Sequence, residues 1–426
     1  MKTSIIIPVI RPEKAQRCIA AIIENTGPYD AYEILEEADV DRIGCPKMVK
    51  RLVEQSSGEL VLFLGDDCIP QKDFLKNALK AMAELPDGWG LVGFNDNTGR
   101  NLPTHWLADK RLLEHLGGEF FHTGYTHCFC DNELMLRAAE LDRYVYANDA
   151  TIEHDHAIIK GEEIEDKDLK RVYSKEVYNK DRLLFSKRYN NNWATPDPNE
   201  VKLGIGLPLA NRQCDNQFWI SFLKMGKPDC VLLVPSIEVY EFQQDIASIR
   251  NDLVEQAINS GCTHLIMMDT DQVYPEDTIF KMMGHNKNVV SAPVHRRYPP
   301  FDLILFRNID GKMVPVPDDE RYTGDLIKID STGTGCILYN IEVFLKIDPP
   351  WFEITTENGA PLGEDINFCR KLRRIGEPVY VDTSIKIPHL AMVEINRTFY
   401  ELYKLAHKNT VEMQKKSNAG ALKKQT

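Results

Sequence analysis

Two stretches decide how this chain is read: HLIMMDTDQVYPED (264–277) and, earlier, VLFLGDDCIPQKDF (61–74). Each is an apolar run of one strand's length, followed by carboxylates, a proline and further polar residues. Alternate residues of an extended chain point the same way, so Asp269 and Asp271 face one side. Carboxylates held so close raise each other's pKa unless a cation neutralises them. A hard divalent ion, Mn²⁺ or Mg²⁺, suits such oxygen ligands and keeps positions open for phosphate. Taken alone, the acids are equally well explained as decoration of a strand-to-loop junction.

Working outward, both halves alternate strands and helices. TSIIIPVI and YEILEEADV flank RPEKAQRCIAAIIENTG, whose helical spacing stops at Gly27; DCVLLVPS and THLIMMD flank IASIRNDLVEQAINSG, which stops at Gly261. This pattern predicts an α/β chain with mostly parallel sheets, in which ligands bind beyond the carboxyl ends of the strands. A second pair of segments repeats as well. In CDNELMLRAAEL (130–141), Leu134, Ala138 and Leu141 follow Asp131 at offsets of three, seven and ten; in EDINFCRKLRRI (364–375), Phe368, Leu372 and Ile375 follow Asp365 identically. Both read as helices with one apolar stripe and an acid at the N-terminus. Histidines follow each in the same order: His154 and His156 in TIEHDH, His389 in IPHL. The expected organisation is two domains of one type, at 1–193 and 203–400, joined by a linker at 194–202 and followed by a helical, basic tail at 401–426.

Bulk properties fit that plan. A chain of 426 residues is long for one core, and 43% hydrophobic with 27% charged residues is a globular composition. A net charge of −13 argues against a surface that coats nucleic acid or anionic membrane, though a local basic groove remains open. The ten cysteines form no CxxC pair, and HCFC has the wrong spacing for a zinc knuckle, so free thiols in a reducing cytosol are expected. No segment is long and apolar enough to span a membrane, and a cytoplasmic location follows as the expectation.

Glu364 and Asp365 at a helix start are either an N-terminal charge worth about 1 kcal/mol or a base for an attacking hydroxyl. His389 is either a strand-end histidine or, as neutral imidazole, a metal ligand. Taken as an ordered set, DxD, ED and His resemble the glycosyltransferases of the GT-A fold, in particular the inverting enzymes of family 2, here as two tandem domains with Rossmann-like sheets. The resemblance implies a nucleotide-diphosphate sugar as donor, foremost a UDP-sugar, and a divalent cation bridging its phosphates. It gives Asp271 the metal, Asp269 the metal shell or ribose, His389 a third metal position, Asp365 the role of base and Glu364 that of holding the acceptor. Arg250 and Asn251 fall on the helix near the nucleotide, and Gly333 and Gly335 on the small-residue turn beside the sugar.

The first half departs from the family pattern. Gly65 stands where the second copy has Asp269, leaving Asp66 for the nucleotide and Asp67 for the metal, with His154 or His156 as its partner. Lys47 falls on the nucleotide-proximal helix. Asp131 matches the base, Cys130 replaces Glu364, and Glu133, one turn on, is the substitute expected for it. EFFHTGYTHCFCDNEL and the segment after it also resemble compact bacteriophage glycosyltransferases, which admits a glycan or a modified base in phage DNA as acceptor, and the host cytoplasm as location. Arg296, Arg297 and Tyr298 either grip the donor phosphates or the acceptor or simply lie on a solvated loop. Trp106, Tyr125, Trp351 and Phe352 are stacking candidates, although core packing explains most such aromatics. Two rivals stay open: a sugar nucleotidyltransferase, for which no glycine-rich basic loop follows either first strand, and a noncatalytic sugar- or nucleotide-binding protein.

Overall fold

The computed structural model describes the whole chain except residues 28–30, 157–165, 198, 211–213, 237–244, 358, 393–394 and 407–426. The basic C-terminal tail beyond the helix Arg397–Ala406 therefore lies outside the described residues.

The first half contains strands β1 (Thr3–Val9), β2 (Tyr32–Ala38), β3 (Leu60–Phe63), β4 (Cys68–Pro70), β5 (Leu91–Asn95), β6 (Trp106–Asp109) and β7 (Tyr144–His154). They form one sheet in the order β2-β1-β3-β6-β5-β7-β4. The second half contains β8 (Leu203–Gly206), β9 (Cys230–Leu233), β10 (His264–Met268), β11 (Val289–Ser291), β12 (Leu305–Ile309), β13 (Lys312–Pro315), β14 (Leu326–Ile329), β15 (Ser331–Thr332), β16 (Cys336–Asn340), β17 (Thr355–Glu357), β18 (Ala360–Leu362) and β19 (Val379–Asp382). Its main sheet runs β14-β19-β11-β16-β10-β8-β9.

Reversed, the second order matches the first over six strands, and so do their pair directions; the edge strands come from different places in the chain, β4 just after β3 and β14 well after β11. β1 lies parallel to β2 and β3, as β8 does to β9 and β10. β6 runs antiparallel between β3 and β5, as β16 does between β10 and β11. β5 pairs parallel with β7, as β11 does with β19. Each sheet thus runs mostly one way, interrupted by one reversed strand and closed by a reversed edge strand. The repeat seen in the sequence is a repeat of topology.

Continuous apolar runs form the central strands because both faces of each sheet are covered. Ile266 and Met268 of β10 point into one core and Leu265 and Met267 into another, so successive side chains divide between the two faces. β3 does the same with Leu60 and Leu62 on one side and Val61 and Phe63 on the other. Trp106, Tyr125, Trp351 and Phe352 are all buried in these cores and do not present rings to a ligand. The ten cysteines are free, and six of them are buried. No helix among the described residues is long and apolar enough to cross a membrane.

The helix Lys175–Asn190 touches both halves. Its Asp181 is fully buried and accepts the amides of Thr126, His127 and Cys128 at 2.8–2.9 Å. Its opposite side meets the helix Ile246–Asn259 through Arg182 and Glu255 (2.6 Å) and through the Asn190 amide on the Asn259 carbonyl (3.0 Å). Gly261 ends that second helix, as its position in the sequence predicts, at φ +68°. A Cβ on it would stand 2.9 Å from Lys187 Cα.

Gly261→Ala therefore combines a left-handed backbone with a close approach to another helix's main chain. A loss of more than about 1 kcal/mol is expected from the conformation alone, measured by urea unfolding. An unchanged midpoint would show that the two helices separate freely.

Candidate functional site

In the second half the loop after β10, the turn before β16 and the start of the helix Glu364–Arg374 converge around one guanidinium. Arg250, 4% exposed, donates from Nη1 to the Thr334 carbonyl (3.1 Å) and from Nη2 to Asp269 Oδ1 (3.2 Å). Its Nε faces Glu364 Oε1 at 3.3 Å. Burial pushes the Asp269 pKa up, against the pull of Arg250. The turn needs its glycines: a Cβ on Gly335 would overlap the Gln272 amide and stand 3.3 Å from Asp269 Oδ2, and one on Gly333 would stand 3.7 Å from Asp365 Oδ2. Asn251, the neighbour of Arg250, instead bonds both backbone groups of Phe352 (2.7 and 3.0 Å) and so pins the segment ahead of Glu364.

Asp271 turns one oxygen toward His389 (Oδ1 to Nε2, 3.2 Å) and the other toward Arg297 (2.8 Å). Arg296, next in line, pairs with Asp302 at 3.0 Å, and Tyr298 is exposed. The register places His389 beside the metal-type aspartate, because Gln272 and His389 form an antiparallel bridge. His389 Nδ1 lies 2.6 Å from the His295 carbonyl, which can only accept, so the proton sits on Nδ1. Burial pushes the His389 pKa down, but Asp271 and that carbonyl outweigh it and hold it above the ordinary value. The Asp271 carboxyl sits below the usual range, since His389 and Arg297 offset its burial.

The fit to a divalent cation can be judged from atoms left without hydrogen bonds. Asp271 Oδ1 and His389 Nε2 are both buried, and their contact with one another at 3.2 Å is the one polar contact of each among the described residues. One carboxylate oxygen and one imidazole nitrogen so arranged, with Asp269 two residues away, form a donor set that suits Mn²⁺ or Mg²⁺.

Asp365 sits on the far side of the turn. Its Oδ1 accepts the Ile366 amide at 2.7 Å, and burial, with Glu364 adding to it, pushes its pKa up to about 6. Gly363 leaves room for it, since a Cβ there would fall 2.7 Å from Asp365 Oδ1.

The first half repeats these placements with different neighbours. Asp131 Oδ1 accepts the Asn132 amide at 2.9 Å, and burial again pushes the pKa up to about 6. Asp67 Oδ1 faces His154 Nε2 at 3.4 Å, and Oδ2 faces Arg11 Nη1 at 3.0 Å. Cys68 pairs with His154 across β4 and β7, just as Gln272 pairs with His389. Asp66 accepts the amides of Ile10 and Arg11 (2.8 and 2.7 Å) and the Arg11 guanidinium, so it anchors the chain leaving β1. His156 stacks edge-on with His154 and Tyr173, its pKa lowered by burial to about 4. Asp66, Asp67, Asp131, His154 and His156 line one cleft.

Besides Asn251, two expected site residues are placed elsewhere. Lys47 is exposed on the helix Cys45–Gln55 and is not among the residues lining the cleft, whereas its neighbours Cys45 and Met48 are. Glu133, the expected stand-in for Glu364, is 3% exposed and closed in by Arg188 (2.6 and 2.7 Å), Arg137 (3.2 Å) and the Tyr125 hydroxyl (2.8 Å). Burial works to raise its pKa, but Arg188 outweighs this and holds it low. It clamps the helix Lys175–Asn190 to the helix Cys130–Glu140 and does not turn to the cleft.

The shared LVEQ at 52–55 and 253–256 sets Val49 opposite Arg250. The triad of buried Arg250 with half-buried Asp269 and Glu364 is therefore replaced as a unit by Val49, Gly65 and Cys130. Removing both acids alone would have left Arg250 buried without an acidic partner. Sequence reasoning missed this joint exchange, and it missed Arg11, Cys68 and His105. The arginine following the first strand was the available signal for Arg11.

No protein-family model matches the chain, and no curated protein does. Solved structures that it is similar to include a mannosyltransferase from Pyrobaculum calidifontis in complex with GDP-Man and Mn²⁺ (15% identity, 46% of this chain and 65% of that chain, TM-score 0.34). Others are glucosyl-3-phosphoglycerate synthase from Mycobacterium tuberculosis with Mn²⁺, UDP and phosphoglyceric acid (16%, 46% and 80%, TM-score 0.32) and A197 from STIV (16%, 45% and 87%, TM-score 0.31).

Two measurements test the electrostatics. Glu133→Ala strands Arg188 in the interior, and a loss of about 3 kcal/mol or more is expected in chemical unfolding; a loss within 0–1 kcal/mol, roughly that of a surface pair, would refute the clamp. For Asp365 and Asp131 the folded pKa lies above the ordinary 3.8, so their stabilising contribution is full below that value and lost as pH rises through about 6. In chelator-treated protein, Asp365→Asn and Asp131→Asn should melt higher than wild type at pH 8, and the gain should vanish near the ordinary carboxyl pKa. A gain of equal size at both ends of the range would count against raised carboxyls.

Proposed function

We propose that the chain is a metal-dependent glycosyltransferase with two GT-A-type domains, moving a sugar from a nucleotide-diphosphate donor to an acceptor hydroxyl with inversion. One observation carries the reading: Asp269, two residues before the paired Asp271 and His389, and the raised carboxyl of Asp365 flank one glycine turn, at Gly335 and Gly333. Glycines there let the turn pass close to both acids, which holds the metal and base corners near one another on either side of a bound donor.

Asp271 and His389 would hold the cation, with Asp269 beside them; when bound, it supplies positive charge against the diphosphate leaving group. The chain's own residues do the rest. Asp365 takes the proton from the acceptor oxygen, and its pKa near 6 keeps it ionised at neutral pH while making it more basic than an exposed aspartate. Attack from the base's side on the anomeric carbon, with the diphosphate leaving on the other side, gives inversion. Glu364 is held by Arg250, which leaves its outer oxygen free to orient the acceptor. Arg250 also fixes Asp269, so base and metal corners keep their separation. Arg297, beside Asp271, is placed to meet a phosphate. The acceptor is a glycan or a modified DNA base, recognised by loops outside the shared core.

The test is turnover of nucleotide sugars with Mn²⁺, with glycan and modified-DNA acceptors run in parallel and product stereochemistry read by NMR. Asp271→Ala and Asp365→Asn should each lower kcat/KM by about 100-fold or more. The acid limb of the wild-type profile should fall below about pH 6. Full turnover in both variants would overturn the assignment; donor binding without any turnover in the wild type would favour the noncatalytic reading.

A further inference from the structure

The first half differs from the second at three positions around its metal-type aspartate. Gly65 replaces Asp269, Cys68 replaces Gln272, and His105, which immediately precedes β6, replaces Cys336 at the start of β16. The last match follows from the ladders: Asp109 and Asn340 each end their strand by accepting the amide two residues on (2.8 and 2.9 Å). Counting back from them along β6 and β16 sets His105 against Cys336.

These exchanges change the chemistry of one small volume. The point where a Cβ would sit on Gly65 lies 3.0 Å from Asp67 Oδ1, 3.3 Å from His105 Nε2 and 3.7 Å from Cys68 Sγ. Three donors on three different residues therefore converge on a spot kept clear by the missing side chain. Donor atoms of Cys68, His105 and His154 all lie within 4.8 Å of one another. The two imidazoles meet edge to face at 4.7 Å between centroids. Cys68 and His105 are 0% and 3% exposed. His105 is oriented by its other nitrogen, whose Nδ1 meets Thr104 Oγ1 at 3.1 Å, and His154 Nδ1 is buried with no hydrogen-bond partner. Thr104 in turn donates to Asp96, an outer link of the kind that fixes a ligating imidazole (3.0 Å).

We propose that the first half binds a zinc-class divalent ion through Cys68, His105 and His154, with Asp67 beside them, a site distinct in kind from the oxygen-rich one of the second half. Two imidazoles and a thiolate, with the fourth position left to a solvent molecule, form a set that selects Zn²⁺ or Co²⁺ over Mg²⁺. Binding releases the Cys68 thiol proton to solvent, and the thiolate takes its place as ligand. The inference stands on this donor set and not on sugar transfer.

The test uses the full chain, purified without a metal-affinity tag, stripped with chelator and titrated with Co²⁺ in the absence of donor sugar. One equivalent should give tetrahedral visible absorption together with a thiolate-to-cobalt charge-transfer band in the near ultraviolet. Cys68→Ser should lose the charge-transfer band, His105→Ala should lose one equivalent of tightly held metal, and Gly65→Ala, which fills the central spot, should lose both. His389→Ala, in the other half, should leave the band intact. A wild-type titration without the band, or a band that survives Cys68→Ser, would overturn the site. Because the readout is optical, it is separate from any outcome of the turnover assay.

Discussion

The second site depends on how one buried positive charge is shared. Arg250 comes from the middle of the helix Ile246–Asn259, yet it bonds the turn before β16, the acid after β10 and the acid that opens a helix about a hundred residues later. Three segments far apart in sequence are thereby set at fixed separation by a planar group with five donors. A lysine would supply the charge without the fork. The interaction also opposes the rise that desolvation imposes on the half-buried Asp269 carboxyl.

Duplication makes the value of that charge visible. The first half keeps strand order, register, the Asp67–His154 contact and the helix-start Asp131, but it has lost the arginine and both acids it holds together. In their place Val49, Gly65 and Cys130 form a neutral lining, and the strain of holding Asp66 and Asp67 passes to Arg11 at the end of β1. Two sites on related sheets thus stabilise negative charge by different devices, one through Arg250 of the helix Ile246–Asn259 and one through Arg11 just after β1. The different metal chemistry proposed for the first half follows the same logic, with nitrogen and sulfur taking over space that an acid had occupied.

Much of this was legible in the sequence. The alternation of strand and helix patterns, the repeat of LIMMDTDQ with VLFLGDDC, and the matching helices at Asp131 and Asp365 give the two sheets and bring the acids to the sheet ends. Periodicity is local information, and it suffices for strands whose two faces are both apolar. Side-chain direction across distant segments is not local. Glu133 and Asn251 occupy positions indistinguishable in pattern from cleft residues, but Arg188 and Phe352, which decide their orientation, lie far away in the chain. His105 carried no signal at all, because nothing in THWLAD marks it as opposite Gly65. The reversed strands β6 and β16, which deliver that histidine and its counterpart, were likewise not apparent from a pattern that suggested parallel neighbours.

The helix Lys175–Asn190 carries a last consequence, for the order in which the molecule is made. Leu183 on this helix belongs to the core of the second half, while its neighbours Leu184 and Phe185 pack on the first. A ribosome delivers this helix before any strand of the second sheet exists. The first half must therefore emerge with an apolar residue and two hydrogen-bonding side chains, Arg182 and Asn190, waiting on an uncovered face. The nascent intermediate thus presents a surface that can be seated only by the rest of its own chain or, at high concentration, by another copy of it.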